Sequence, residues 1–220
     1  MPSPFKFKPL AQLAAAACAA LAFAVTPASA TIVSGAVTGG DTGGTFVKLS
    51  VPLTGSTPAN TVGADNFQSP NLFGFDESQN ILLAAALNMD IGASVAAGTQ
   101  VASHYIFFDP RQTGHIIGTV DFDSDVLGII TSTGLLAVSD ILANTGVNYL
   151  NPGLRGLEAG DSVTISGTRQ ILFDTFASSP GDYVRVITAF SLGATVPEPA
   201  SIALALAALA GVGVARRRRG

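Results

Sequence analysis

Short apolar runs separated by clusters of Gly, Thr, Ser, Asp and Asn fill the central part of the sequence, residues 31–195. Apolar runs of about four to eight residues with turn-forming residues on both sides are typical of β-strands, whereas an amphipathic helix needs a longer stretch with apolar residues three and four positions apart. The spacing of these runs is that of a β-sandwich or a jelly roll. The sequence therefore predicts a single all-β domain over residues 31–195.

The clearest predicted strands lie at residues 45–53, 101–108, 115–123, 163–165 and 183–190. Between the second and the third stands the turn-forming sequence DPRQTG, in which Pro110 fixes one backbone angle. We predict that these two strands pair as a hairpin across that turn.

Three other segments are less clear in the sequence. Residues 81–89 fit either a buried strand or a short helix. Residues 139–144 fit one or two helical turns with Ser139 as the N-cap. Residues 31–65 are rich in Gly, Thr and Ser, so we expect part of this segment to lack regular structure.

Residues 1–30 have the pattern of a secretory signal peptide, with a basic start, an uncharged apolar stretch and two small residues at the spacing that signal peptidase needs. These parts are Lys6 and Lys8, residues 10–25, and Ala28 and Ala30. We predict cleavage between Ala30 and Thr31. A retained transmembrane helix and lipoprotein processing at Cys18 are the alternatives, and the well-formed small-residue site favours cleavage after Ala30.

Residues 196–220 combine a Pro-Glu-Pro motif, an apolar stretch and an arginine cluster. The motif is Val196, Pro197, Glu198 and Pro199, and the cluster is Arg216, Arg217, Arg218 and Arg219. As a helix, residues 200–215 span about 24 Å, less than the bilayer hydrocarbon core of about 30 Å. Because arginines favour the cytoplasmic side, we predict a short transmembrane anchor with the rest of the protein outside.

These three parts, in this order, resemble the PEP-CTERM sorting signal. The resemblance implies processing by an exosortase, a membrane transpeptidase that cuts near Pro-Glu-Pro. It also implies a Gram-negative bacterium, an inner-membrane precursor with its domain in the periplasm, and a final place at the cell surface or in the extracellular matrix, often alongside exopolysaccharide. An ordinary tail anchor after a Pro-rich linker is the alternative.

Part of the predicted domain also resembles a domain that recurs in other PEP-CTERM proteins. The phrases that carry the resemblance lie within residues 70–188 and are NLFGFDESQN, SHYIFFDP, GTVDFDSDVLGI and ASSPGDYVRV. This resemblance implies no activity.

Charge and cysteine content narrow the functions open to residues 31–195. This segment has fourteen acidic and five basic residues, a net charge of −9, against −4 for the whole chain. An acidic surface disfavours nucleic acid, which binds basic surfaces, and permits divalent cations. The single cysteine, Cys18, lies in the predicted signal peptide, so the predicted mature domain has no disulfide, cysteine metal site or thiol nucleophile.

Asp121, Asp123 and Asp125 form the densest acidic cluster and match the start of an EF-hand loop. An EF-hand needs Gly next and a bidentate Glu at the twelfth position, where this sequence has Val126 and Ser132. If the strand continues to Val126, the three carboxylates share one face at about 6.5–7 Å spacing and repel one another. The sequence leaves two ways to relieve that repulsion, exposure to solvent or a Ca²⁺ ion.

Two histidines supply further candidate chemistry. His104 and His115, with Asp109, are ligand types for zinc if the predicted hairpin brings them together. Ser103, His104 and Asp109 are also the residue types of a hydrolytic triad, but adjacent residues on a strand point to opposite faces. We therefore expect structural roles for both histidines and no catalytic residue among these side chains.

Glu77 and Glu158 are residue types of a glycosidase pair, but the chain has no Trp and only three Tyr on which a sugar ring would stack. We therefore predict a non-enzymatic, exported surface or matrix protein without a cofactor, Ca²⁺ at the aspartate cluster being the one candidate. Its expected partners are signal peptidase, exosortase, the inner membrane during processing and exopolysaccharide. A Ca²⁺-dependent carbohydrate-binding or adhesion module is the first alternative, and an enzyme acting on extracellular glycan is the second.

Overall fold

The computed structural model describes residues 30–190, and the prediction of a mostly β domain is confirmed over this range. The strands are β1 (Ile32–Gly40), β2 (Phe46–Lys48), β3 (Thr61–Val62), β4 (Leu72–Asp76), β5 (Ile81–Leu82), β6 (Ile91–Gly92), β7 (Gln100–Phe108), β8 (Gly114–Phe122), β9 (Val126–Ile130), β10 (Asn148–Tyr149), β11 (Ser162–Gly167), β12 (Gln170–Ala177) and β13 (Asp182–Ala189). The described helices are α1 (Thr133–Val138) and the 3-10 helices Ser139–Leu142 and Pro152–Leu154. The predicted signal peptide up to residue 29, the Pro-Glu-Pro motif, the anchor and the arginine cluster lie outside the described residues.

The strands form two larger sheets and one two-stranded parallel pair, β3 with β10. The small sheet is antiparallel, with the strand order β1-β8-β12-β11. The large sheet has the order β2-β4-β7-β13-β9-β6, and β5 pairs with the end of β7. All neighbours in the large sheet are antiparallel except β2 and β4.

Side chains from the small and the large sheet meet in one hydrophobic cluster, the inter-sheet core. Its buried members are Ile32, Leu72, Ile106, Phe108, Ile116, Val120, Phe122, Ile129, Val163, Ile171, Phe173, Ala177, Val184 and Val186. Strand β8 alternates between buried and partly exposed residues, so one of its faces enters this core. The sheets approach closely at Gly118, where an added Cβ would lie 2.7 Å from Leu72 Cδ2.

The other face of the large sheet carries a second hydrophobic cluster, the outer core. Its buried members are Leu49, Leu53, Val62, Phe73, Phe75, Leu83, Leu87, Val101, Tyr105, Phe107, Ile130, Leu136, Leu142, Val147, Tyr183 and Ile187. Strand β7 divides its side chains between the two cores, with Ile106 in the inter-sheet core and Tyr105 in the outer core. Helix α1 and the long connections supply the remaining side chains, so they cover the large sheet on this face.

The predicted hairpin of residues 101–108 and 115–123 is wrong, because β7 and β8 belong to different sheets. Strand β7 is buried on nearly every residue and has β4 and β13 as its two neighbours, so it has no free edge for β8. Strand β8 pairs instead with β1 and β12. The turn sequence DPRQTG therefore carries the chain from one layer to the other across the inter-sheet core.

The predicted continuation of this strand to Val126 is also wrong. Strand β8 ends at Phe122, and Val126 begins β9 in the large sheet. From Ile116 to Phe122 buried and partly exposed residues alternate, with Asp121 on the partly exposed face. The reason for the break is that the chain changes layer between Phe122 and Val126.

Three segments with unclear sequence patterns have definite structures. Residues 31–65 include β1, whose Gly35 leaves room for the Phe46 ring, since a Cβ there would lie 2.5 Å from Phe46 Cγ. Residues 81–89 contain the short strand β5 and are otherwise irregular. The helical turn at Ser139–Leu142 is confirmed, but Ser139 is the C-cap of α1 and not an N-cap.

Leu72 and Leu82 form a matched pair for testing the inter-sheet core, since Leu72 is fully buried and Leu82 is 66% exposed. We predict that Leu72→Ala lowers the free energy of unfolding by about 2–5 kcal/mol, because it leaves a cavity against Gly118. Leu82→Ala should change it by no more than about 0.5 kcal/mol. Urea unfolding of both variants measures the difference, and equal effects would contradict the described packing.

Candidate functional site

Asp121, the first residue of the predicted acidic cluster, is bonded to neighbours on both sides within the small sheet. Its Oδ1 accepts a hydrogen bond from Gln170 Nε2 at 2.7 Å, and its Oδ2 accepts one from Ser34 Oγ at 2.8 Å. Ser34 lies on β1 and Gln170 on β12, the two strands that flank β8. The carboxylate therefore links three strands across the exposed face of the sheet.

Asp123 and Asp125 lie beyond the end of β8 and have partners of their own. Asp123 Oδ1 accepts a hydrogen bond from the Thr31 backbone N–H at 2.8 Å. Asp125 Oδ1 lies 2.9 Å from Arg169 Nε in an exposed ion pair. Each carboxylate of the predicted cluster thus has a different partner within the protein, and Ca²⁺ at Asp121, Asp123 and Asp125 stays a prediction.

Thr31 and Ile32, which follow the predicted cleavage site, are hydrogen-bonded to the side chains of Asp76 and Lys48 in the large sheet. Asp76 Oδ1 accepts a hydrogen bond from the Ile32 N–H at 2.9 Å, and Asp76 Oδ2 accepts one from Thr31 Oγ1 at 2.7 Å. Lys48 Nζ lies 2.9 Å from Asp76 Oδ2 and donates to the Ile32 carbonyl oxygen at 2.6 Å. The start of β1 is therefore fixed to the large sheet by charged side chains.

His104 and His115 lie on different sheets, so the structure does not bring them together as zinc ligands. His104, on β7, is fully buried, with Nδ1 2.7 Å from Asp76 Oδ1 and Nε2 3.0 Å from Thr188 Oγ1. His115, on β8, has Nε2 2.7 Å from Asp174 Oδ1. Each histidine thus has its own carboxylate partner.

Ser103 and His104 point to opposite faces of β7, as the sequence predicts for neighbours on a strand. Ser103 Oγ donates a hydrogen bond to Glu77 Oε2 at 2.5 Å, whereas His104 is bonded to Asp76 and Thr188. The serine and the histidine therefore do not form a nucleophile–base pair.

A fully buried guanidinium, that of Arg185 on β13, pairs with Glu77 inside the outer core. Arg185 Nε lies 2.6 Å from Glu77 Oε2, and Nη2 lies 2.8 Å from Oε1. Tyr149 Oη also donates to Glu77 Oε1 at 2.6 Å, and Ser103 Oγ donates to Oε2. Both oxygens of this buried carboxylate are thus occupied by donors, as a buried charge requires.

A second ion pair joins the first. Arg155 Nη1 and Nη2 lie 3.1 and 2.7 Å from the two oxygens of Asp140, and Asp140 Oδ1 lies 3.1 Å from Arg185 Nη2. Arg185 Nη1 donates to Ser139 Oγ at 2.6 Å and to the Leu136 carbonyl oxygen at 3.1 Å. We call this group the ion network; its charged members are Glu77, Asp140, Arg155 and Arg185.

The ion network favours the charged forms of Arg185 and Asp140. Burial alone lowers the pKa of Arg185, but the Glu77 carboxylate outweighs burial and raises that pKa above its ordinary value. Burial alone raises the pKa of Asp140, but Arg155 and Arg185 hold it below its usual range. This hydrogen-bonded network links α1 to the large sheet. Glu77 is part of the network and Glu158 is not, so the two residue types of a glycosidase pair lie in different places.

The structure brings three carboxylates together at a place different from the predicted cluster of Asp121, Asp123 and Asp125. Glu158, Asp161 and Asp182 each place an oxygen within 4.8 Å of the others, and they are the one such set of metal-ligand side chains within residues 30–190. Asp161 directly precedes β11 of the small sheet, and Asp182 begins β13 of the large sheet. The three residues therefore meet where the ends of the two sheets come together. We call them the acidic site.

Asp182 is the buried member of the acidic site, with 1% of its surface exposed. Neither of its carboxylate oxygens has a hydrogen-bond partner among the described residues. Burial, together with the nearby carboxylates of Asp161 and Glu158, raises the pKa of Asp182 to about 8, and the Thr175 hydroxyl beside it acts in the opposite direction. The three carboxyl groups therefore lie close enough to repel one another when charged.

Asp161 and Asp182 were not predicted as ligands, because the sequence separates them and neither lies in a run of acidic residues. One signal was available. Each aspartate directly follows a glycine, Gly160 or Gly181, whose positive φ of 113° or 91° turns the chain into the next strand. Two such Gly-Asp pairs indicate that an acidic side chain stands where each of two strands begins. They do not indicate that these two places lie close together in the fold.

Residues 195–219 match the PEP-CTERM protein-sorting motif. No curated protein and no solved structure matches the chain. The motif confirms the resemblance predicted for the tail and implies export, a membrane-anchored precursor and processing by an exosortase. Within residues 30–190, no helix is long and apolar enough to cross a membrane, and the predicted anchor lies outside that range.

Glu77→Gln tests the ion network, because it removes the fully buried one of the two carboxylates that pair with the buried Arg185 charge. We predict a loss of about 3–5 kcal/mol in the free energy of unfolding. Asp125→Asn, which breaks the exposed pair with Arg169, is the control and should cost no more than about 1 kcal/mol. Urea unfolding at pH 7 measures both, and a Glu77→Gln effect as small as the control would refute a stabilising network.

Asp109 provides a pH-dependent test. Its side chain is buried, Oδ2 accepts a hydrogen bond from the Phe67 N–H at 2.9 Å, and Oδ1 has no partner among the described residues. Burial raises the pKa of Asp109 to about 6, the nearby Asp65 carboxylate adding to the effect and the Phe67 N–H opposing it. In the unfolded chain that pKa is about 3.9. The stabilising contribution of protonated Asp109 is therefore complete below pH 4 and is lost as the pH rises to 6.

We predict that Asp109→Asn becomes more stable relative to the wild type as the pH rises from 4 to 7, by up to about 3 kcal/mol. Asp76→Asn should show the opposite trend. Its stabilising contribution is present at neutral pH and is lost in acid, because His104 and Lys48 outweigh burial and hold the Asp76 pKa below its usual range. Urea unfolding at pH 4, 5, 6 and 7 measures the Asp109→Asn difference, and unfolding at pH 2, 3 and 4 measures the Asp76→Asn difference, because the Asp76 contribution is lost only below the unfolded pKa of about 3.9. A pH-independent Asp109→Asn difference would contradict the assignment.

Proposed function

We propose that this chain is the precursor of a non-enzymatic protein of the cell surface or extracellular matrix, released from its membrane anchor by an exosortase. The observation that carries the proposal is the PEP-CTERM motif at residues 195–219. In this proposal, signal peptidase removes residues 1–30, and residues 31–195 form a β-sandwich domain in the periplasm. The arginine cluster stays in the cytoplasm until exosortase cuts near Pro197–Pro199.

The limits of the β domain support this order of events. Strand β1 begins at Ile32, one residue after the predicted cleavage site, and β13 ends at Ala189, shortly before the sorting motif. Both predicted cuts therefore fall outside the strands, so processing at either end leaves the described sheets intact.

The placement of the candidate catalytic residues supports a non-enzymatic role. Ser103 and Glu77 are buried and bonded to each other, Glu77 also pairs with Arg185, and His104 is buried on the opposite face of β7. Side chains closed to solvent in this way have no access to an extracellular polymer. The acidic site is the feature that favours a Ca²⁺-dependent binding or adhesion module as the second candidate function, and glycan-array binding with and without EDTA distinguishes it from the first.

Mass spectrometry of the mature protein from its native host tests the sorting proposal. We predict an N-terminus at Thr31 and a C-terminus within residues 196–199, because the cuts follow the small-residue site and the Pro-Glu-Pro motif. A host that lacks its exosortase is the control and should retain Arg216–Arg219. Finding those arginines in most mature molecules of the unmodified host would overturn the proposal.

A further inference from the structure

The acidic site is built from two sheets and a tight turn. Glu158 and Asp161 belong to one turn before β11, in which the Asp161 N–H donates to the Glu158 carbonyl oxygen at 3.3 Å and the Glu158 N–H donates to Asp161 Oδ2 at 3.1 Å. Asp161 Oδ1 accepts a hydrogen bond from the Phe176 N–H at 2.8 Å, which ties this turn to β12. Both oxygens of the Asp161 carboxylate are therefore positioned by backbone N–H groups, and the same turn carries Glu158.

The third carboxylate, that of Asp182, is directed into the site from the large sheet with nothing in the described protein to neutralise it. It is 1% exposed, and both of its oxygens are buried without a hydrogen-bond partner. Buried polar groups are nearly always satisfied in folded proteins, so a buried carboxylate without a hydrogen-bond partner, close to two other carboxylates, indicates a ligand that supplies positive charge.

We propose that Glu158, Asp161 and Asp182 bind a divalent cation of the Ca²⁺ type. Their oxygens lie within 4.8 Å of one another, and ligands about 2.3–2.6 Å from a shared Ca²⁺ ion are separated by up to about 5 Å. The three carboxylates supply three negative charges, and the cation replaces the hydrogen bonds that Asp182 lacks.

The donor set decides the class of metal. All three side chains are carboxylates, with no histidine or cysteine among them, which suits Ca²⁺, Mg²⁺ or Mn²⁺ better than zinc. Ca²⁺ accepts irregular geometry and carbonyl oxygens, whereas Mg²⁺ requires a near-ideal octahedron and keeps several waters. Two residues of one turn and one buried residue at the start of a strand form the acidic site, an arrangement that suits the adaptable coordination of Ca²⁺, so we assign Ca²⁺.

The site is open to solvent on one side. A cleft of about 420 Å³ lies against it, lined by Glu158, Ala159, Gly160, Asp161, Phe176 and Ser178. Glu158 is exposed and Asp161 half-buried, so a cation enters from this cleft and water completes its coordination. The site lies wholly within residues 30–190 and does not depend on the sorting tail.

Titration of the full-length protein with Ca²⁺, after purification in a non-ionic detergent and removal of metals with EDTA, tests this site. We expect a calorimetric signal for one site and a rise of about 5–10 °C in melting temperature at a Ca²⁺ concentration 100-fold above the Kd. Asp182→Asn, which keeps the side-chain size, should weaken the Ca²⁺ Kd at least about ten-fold. Glu158→Gln, on the exposed side, should weaken it less and provides a second test if Asp182→Asn does not fold.

The triple variant Asp121→Asn, Asp123→Asn, Asp125→Asn is the matched control, since it removes the acidic cluster that is contiguous in the sequence. Its Ca²⁺ Kd should stay within about two-fold of the wild type if the acidic site binds the ion. A Ca²⁺ response that is lost in the triple variant and kept in Asp182→Asn overturns the proposal. So does a wild-type protein with neither heat nor a change in melting temperature, or one that binds Mg²⁺ more tightly than Ca²⁺.

Discussion

The buried charge of Arg185 is the constraint on which the outer half of the molecule depends. A guanidinium taken out of water in the middle of a sheet is costly unless every donor finds a partner. Glu77, which directly follows β4, accepts hydrogen bonds from Nε and Nη2 of Arg185. The other acceptors lie in or next to α1: they are the Ser139 hydroxyl, the Leu136 carbonyl oxygen and Asp140. The segment of α1 and its 3-10 extension is therefore held over the large sheet by directional bonds as well as by apolar contacts.

This arrangement explains why a short helix persists in a β domain. Helix α1 has six residues, with no acidic residue in its first turn and no side-chain cap, so its own sequence gives it little stability. Its Leu136 side chain enters the outer core and its Leu136 carbonyl accepts from Arg185. The large sheet therefore stabilises the helix, and the helix covers part of the outer core on that sheet.

How much the sequence predicts depends on whether a feature is local. Alternation along β8 and continuous burial along β7 and β13 follow from residue order, and these strands are found where the pattern places them. Which strand lies beside which does not follow, so β7 and β8 were predicted to pair although they belong to opposite layers. The same limit applies to the acidic site. Aspartates that lie close together in the sequence, such as Asp121, Asp123 and Asp125, are easily recognised as a candidate metal site. Asp161 and Asp182 come together only because the two sheets pack against each other. Arg185 gave a signal of its own, as the one charge inside the apolar run Tyr183–Ile187.

The position of Thr31 has a consequence for maturation. In the described fold its N–H donates to Asp123, and the Asp123 N–H donates back to the Thr31 carbonyl oxygen at 3.1 Å. Cleavage at the predicted bond converts that amide into an ammonium group directly opposite a carboxylate, and a charge-assisted hydrogen bond is roughly twice as strong as a neutral one. If signal peptidase cuts at the predicted bond, the same cut strengthens the link between the first strand and the connection between the two layers.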